Sequence, residues 1–158
     1  MLLLRSGAVS ALVGCLALAA CSSWSLTEPP APPAYYVRSA TVVADQAVPP
    51  VPQTLLSAIN DRVNAAIGVT TRDGSLPKVA LTIRITDLRN SRSFNHDRNS
   101  VKINVDAASV ESGAVLAIAS FDIVNYVPDP TAAHNLMAED IAARIRSIFV
   151  LNAPPLVN

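Results

Sequence analysis

In Val79-Ala80-Leu81-Thr82-Ile83-Arg84-Ile85-Thr86, the large aliphatic residues Val79, Leu81, Ile83 and Ile85 alternate with Ala80, Thr82, Arg84 and Thr86. Successive side chains of a strand point to opposite faces, so this stretch reads as a strand with one buried and one wet face. Val101-Lys102-Ile103-Asn104-Val105-Asp106 repeats the pattern. Two such strands make a sheet that needs covering on one side only. The strands are read over 79–88 and 101–110. Glu111-Ser112-Gly113 then forms a tight turn into a further strand over 114–126. That strand is apolar on both faces near Val115 to Ile118, the pattern of a central position.

Outward from this block, Tyr35 to Ala44 is β-branched and aromatic enough to be a first strand. Pro49, Pro50 and Pro52 forbid its continuation and open a helix on which Leu55, Leu56, Ile59, Val63 and Ile67 recur at three- and four-residue spacing. Asn60, Asp61, Arg62 and Asn64 fall on the other side, and Gly68 is the expected stop. Asp129-Pro130 caps and starts a second helix whose stripe is Met137, Ile141, Ile145 and Ile148, with Glu139, Asp140, Arg144 and Arg146 mostly outside. The order is β-α-β-β-β-α. It predicts an α+β fold, an antiparallel four-stranded sheet with both helices on one face, in a single domain over 35–151 followed by a tail over 152–158.

The first 34 residues do not belong to that pattern. Arg5 precedes an apolar run from Ala8 to Leu18, too short for the roughly 20 residues that cross a bilayer, and small residues follow it. Leu18-Ala19-Ala20-Cys21 resembles the lipobox of bacterial lipoproteins. Leu12-Val13-Gly14-Cys15 also fits, but a cut there leaves a very short apolar core behind. The resemblance implies a signal peptide over 1–20, fatty acylation of Cys21 (palmitate or a similar chain) and a membrane anchor facing the periplasm. Several chains hold a protein on a membrane far longer than one. It also implies that no second cysteine remains for a disulfide. Ser22 next to the cysteine goes, in bacteria that sort by this position, with the outer rather than the inner membrane. A tether over 21–34 contains Pro29-Pro30-Ala31-Pro32-Pro33, which favours extended polyproline geometry and makes a stiff spacer.

Charge and motif content restrict the function. The chain has 12 basic and 12 acidic residues, and loss of Arg5 leaves 11 against 12. Nucleic-acid binders carry a basic excess gathered on one face, so none is expected as partner. His96 and His134 have no glutamate or second histidine at ligand spacing, and no metal or other cofactor is expected. No nucleophile elbow or glycine-rich phosphate loop occurs. Glu139 and Asp140 are neighbours that point apart on a helix, so no catalytic residue is assigned and an enzyme is not expected.

Two polar surfaces remain. The loop between the second and third strands is long for a hairpin and holds Arg89, Arg92, Phe94, His96 and Arg98. Guanidinium pairs well with phosphate, so this tip suits phospholipid or lipopolysaccharide head groups or an acidic partner. The open face of the sheet carries Thr82, Arg84, Lys102 and Asn104. Element order and tether resemble small envelope lipoproteins that serve as auxiliary components of lipid-transport or outer-membrane assembly machines. The resemblance is one of topology and carries no functional residues. It implies an accessory or scaffold lipoprotein that binds a partner in an envelope protein complex. The alternative is a periplasmic lipid-binding or carrier module, with lipid held between helices and sheet.

Overall fold

The computed structural model describes residues 35–45, 50–91 and 98–154. The signal and tether, Cys21 included, lie outside the described residues, as do Arg92, Phe94 and His96 of the loop. The elements are β1 (Tyr36–Ala44), α1 (Gln53–Gly68), β2 (Lys78–Ser91), β3 (Arg98–Ser109), β4 (Val115–Asn125) and α2 (Pro130–Phe149). The sheet order is β1-β2-β3-β4.

The fold is α+β as the patterning requires, but the sheet is mixed rather than purely antiparallel. β2, β3 and β4 form the expected antiparallel meander, whereas β1 pairs with β2 in parallel. The reason lies in α1. Its 16 residues return the chain by about 24 Å, at 1.5 Å per residue. β2 therefore starts at the end of the sheet where β1 started, with Tyr36 beside Lys78. A strand joined to its neighbour through a helix runs parallel to it.

One row of the sheet makes the core. Val79, Leu81, Ile83 and Ile85 of β2 and Val101, Ile103, Val105 and Ala107 of β3 are buried, together with Leu55, Ile59 and Val63 of α1 and Met137, Ile141 and Ile145 of α2. Ile148, Leu56 and Ile67 are half-buried at the margins of the helical stripes. The helices pack on one another, α1 over β1 and α2 toward β4. Asp129 Oδ2 accepts from the Ala132 amide at 2.6 Å and Pro130 follows at the first turn, the capping chemistry its sequence announced. Gly68 does end α1, but Val69 closes it in right-handed conformation, with no left-handed glycine. Gly113 is where a left-handed residue is used: its φ of 72° turns β3 into β4.

β4 is not central. It lies at the edge, so Val115, Leu116, Ile118 and Val124 are exposed while Ala117, Ala119, Phe121 and Ile123 pack against the core margin. The opposite edge, β1, is closed by a side chain. Asn64 of α1 accepts from the Ala40 amide at 3.2 Å and donates to the Ala40 carbonyl at 3.0 Å. A carboxamide thus stands in for the peptide of a missing fifth strand. Asn64 had been grouped with the wet side of α1, yet it is half-buried and performs this work.

Between the helices, Glu139 accepts from Arg146 at 2.8 Å and from Arg62 of α1 at 3.1 Å. The Arg146 hydrogen bond chiefly holds its carboxyl below the ordinary value near 4.5, with burial opposing and Arg62 assisting. A lowered folded pKa stabilises the fold above the unfolded pKa, and that contribution is lost as pH falls through the folded one. Urea midpoints should therefore drop below about pH 4.5 less steeply in Glu139→Gln than in the parent, by no more than about 1 kcal/mol because the pair is half exposed. Asn64→Ala should cost about 1–3 kcal/mol in the same assay, since it strands two backbone groups at once.

Candidate functional site

The outer face of the sheet is built by register. Thr82, Asp106 and Ile118 form one cross-strand row, and Arg84, Asn104 and Ser120 the next. Arg84 is drawn between Asp45 at 3.6 Å and Asp106 at 3.4 Å, and Ser120 Oγ bonds Asn104 Oδ1 at 2.8 Å. Thr82, Arg84, Lys102 and Asn104 thus share the face the sequence assigned them. Arg84 and Asn104 spend their polar groups on neighbours within the sheet.

Beyond these rows the alternation of β2 resets. The register shifts between Ile85 and Asp87, leaving Thr86 as an extra residue opposite β3. Such a bulge exchanges the faces of everything that follows. Leu88 consequently enters the core, at 1% exposure. Asp87 then stands across from Lys102, and Lys102 from Asp122; Arg89 stands across from Ser100, and Ser100 from Val124. These six residues, with Arg98, surround an open depression of about 430 Å³. Arg89 Nε meets Asp87 at 2.7 Å, and among the described residues Arg98, Lys102 and Asp122 are the other charged groups lining the depression, with Lys102 across from Asp122.

The floor of this end is held by two buried amides. Asn99 Nδ2 donates to Asn125 Oδ1 and to the Val127 carbonyl, both at 2.9 Å, while Asn125 Nδ2 donates to the Ala133 carbonyl at 3.0 Å. The pair ties β3, β4 and the start of α2 together. It fixes the backbone that carries Arg98 and Ser100 on either side of Asn99.

Of the loop residues singled out from sequence, Arg89 and Arg98 come together at the depression; Arg92, Phe94 and His96 are outside the described residues. Lys102, assigned to the sheet face, joins the same site. Sequence reading missed Asp87, Ser100 and Asp122. The signal was present: after Ile85, two polar residues precede Leu88, which breaks the alternation and marks the bulge. Among the described residues no three His, Cys, Asp or Glu side chains are grouped to hold a metal ion, and no helix is long and apolar enough to cross a membrane. His134 sits elsewhere, beside a depression of about 180 Å³ between the N-terminal turns of the helices.

No family model matches the chain, and no curated protein matches it by sequence. Solved structures do share its architecture. A PelC dodecamer from Paraburkholderia phytofirmans is similar with a TM-score of 0.50 and 13% identity, over 75% of this chain and 91% of that one. A Xanthomonas campestris protein of family DUF330 matches with a TM-score of 0.50 and 12% identity, over 77% and 86%. At these identities the likeness is one of fold: the β-α-β-β-β-α domain is a recurrent architecture.

Asn125→Ala should destabilise the domain by about 1–3 kcal/mol, because it leaves Asn99 buried beside an empty acceptor position. Arg98→Glu should stay within about 0.5 kcal/mol of the parent, as for an exposed charge. Chemical unfolding of both variants checks the separation between the floor of the site and its rim.

Proposed function

We propose that this protein is a lipid-anchored accessory lipoprotein, held through Cys21 and facing the periplasm, that presents the depression around Arg89, Arg98 and Lys102 to a protein partner in a cell-envelope complex. The observation that carries this reading is the distance between the two ends of the sheet. The tether enters at Tyr36, next to Lys78, and the depression lies eleven residues up β2 at Arg89, roughly 35 Å away at 3.3 Å per residue. With the attachment end toward the anchoring membrane, a mixed-charge, open site at the other end faces away from that membrane and toward a partner. This favours an acidic or mixed-charge protein surface over phospholipid or lipopolysaccharide head groups. The sequence features at Leu18 to Cys21 and Ser22 support an outer-membrane anchor.

The carrier reading is weakened by the interior. Leu55, Ile59, Ile83, Ile103, Met137 and Ile141 fill the space between helices and sheet at 0–1% exposure. An acyl chain there displaces packed side chains, at a cost of several kcal/mol. Among the described residues the depression is lined by Asp87, Arg89, Arg98, Ser100, Lys102 and Asp122, and a binding role is proposed for it.

Crosslinking in intact cells with full-length, C-terminally tagged protein tests the proposal. An envelope transport or assembly component should be recovered with the parent and lost with the double variant Arg89→Glu and Arg98→Glu, at about tenfold or more per contact if each is worth about 1.4 kcal/mol. The double variant should retain the parent's melting temperature. Equal recovery with the charge-reversed protein removes the depression from the interface. Cys21→Ser should abolish fatty-acid labelling and leave the precursor uncleaved; a labelled serine variant refutes the anchor.

A further inference from the structure

From the way apolar side chains are distributed over the two ends of the sheet, we infer that the end opposite the depression rests on the lipid surface of the membrane that holds the anchor. The inference builds on the lipid-anchor reading above. Ten large apolar residues are exposed among those described, and five of them, Val69, Val110, Val115, Leu116 and Val150, belong to the end where the tether enters, while Ile118 lies on the outer face a few rows above them. The topology brings them there. Tyr36 pairs with Lys78, Val79 with Ser109 and Ala108 with Val115, so the start of β1 and the β3–β4 turn share one rim. Both helices also finish at this rim, where Asn152 bonds the Val69 carbonyl at 3.2 Å and Arg72 bonds the carbonyls of Phe149 and Val150.

Those contacts have an electrostatic consequence. Helix C-termini carry partial negative charge that disfavours an anionic lipid surface, and Arg72 answers it at the end of α2. Val150 closes that helix in left-handed geometry, φ 53°, where glycine or asparagine is the usual choice, and leaves its side chain 49% exposed. Lys78, beside Val110 through the Val110 amide, supplies a cation at the same rim, and Glu111 and Asp73 are the acids near it. Exposed aliphatic groups with a lysine beside them suit the boundary between head groups and acyl chains.

The tether makes a weak contact sufficient. Residues 21–34 number fourteen, which span about 43 Å at the 3.1 Å per residue of polyproline geometry. Anchoring within that distance makes the meeting of rim and bilayer an intramolecular event, so the rim needs little affinity of its own. The same placement turns the depression outward, toward a partner.

Tryptophan reporters in the full chain test this. Trp24 is the sole tryptophan, so Trp24→Phe gives a dark background for Val115→Trp at the rim and Val124→Trp at the far end of β4. Each protein, lipidated in cells and purified in detergent, is reconstituted into vesicles of phosphatidylethanolamine and phosphatidylglycerol with brominated acyl chains. Bromine should quench Val115→Trp several-fold more than Val124→Trp, and Val110→Trp, an independent rim position, should follow Val115→Trp. Equal or absent quenching in proteins that still float with the vesicles overturns the proposal and leaves the anchor standing. Failure to float overturns the anchor and the proposal together. A blue-shifted but unquenched Val115→Trp that crosslinks to a second copy assigns the rim to self-association and also overturns it.

Discussion

The burial of one row of β2 and β3 against two helices is the constraint on which the rest of the molecule depends. Leu81, Ile83, Ile85, Ile103 and Val105 can be covered only if every second residue of both strands faces the same layer. The period of two leaves no freedom of register, because a slip of one residue places Thr82, Arg84, Lys102 and Asn104 in the core. That cost, several unpaired polar groups at about 1–3 kcal/mol each, outweighs any gain from alternative pairing. Within this frame the bulge at Thr86 is a controlled exception. It lets Leu88 reach the core and turns Asp87 and Arg89 outward, and it thereby creates the charged depression.

The parts of this fold that could be read from sequence are those governed by local period. The alternation of Val79 to Ile85 and Val101 to Val105, the stripes of Ile59 and Val63 and of Ile141 and Ile145, and the Asp129-Pro130 cap each encode an element in a few adjacent residues. The direction of β1 was not local information. It depends on α1 being long enough to return the chain across the sheet, a property of how elements add up. The edge position of β4 was misread because Val115 to Ile118 are apolar on both faces, which burial explains equally well as exposure for a purpose. Asn64 was misread for a related reason: its polarity places it on the wet side of a helix in projection, whereas its work is to satisfy the Ala40 peptide.

The site was half legible. Arg89 and Arg98 stand in a conspicuous loop, and Lys102 on a conspicuous polar row. Their meeting required the bulge, whose mark is a single break in alternation, and the acids Asp87 and Asp122 come from two different strands with nothing in sequence to join them. Asn99 and Asn125 were invisible for the opposite reason. Asparagine is ordinary in turns and loops, and only burial to 9% and 5% shows these two to be structural. Their hydrogen bonds fill each other's needs, so the pair rigidifies the far end of the sheet and supports the rim residues beside it.

The two edges of the sheet and its two ends divide the labour of the molecule. β1 is capped at its middle by a carboxamide that occupies the outward groups of Ala40, which interrupts the row of free groups an added strand would use. β4 is guarded more lightly, by the exposed charge of Asp122 and by the bulge at Leu116 that bends its first residues away from a straight template. The ends differ by chemistry instead. Charged residues from β2, β3 and β4 collect around the depression, whereas valines and a leucine are exposed where the described chain begins. A small domain has no spare interior for a ligand once its core is packed at native density, so its recognition must lie on the surface. Separating an apolar rim from a charged rim by the length of one strand gives such a domain an up and a down, and that orientation is what the proposed anchored role requires.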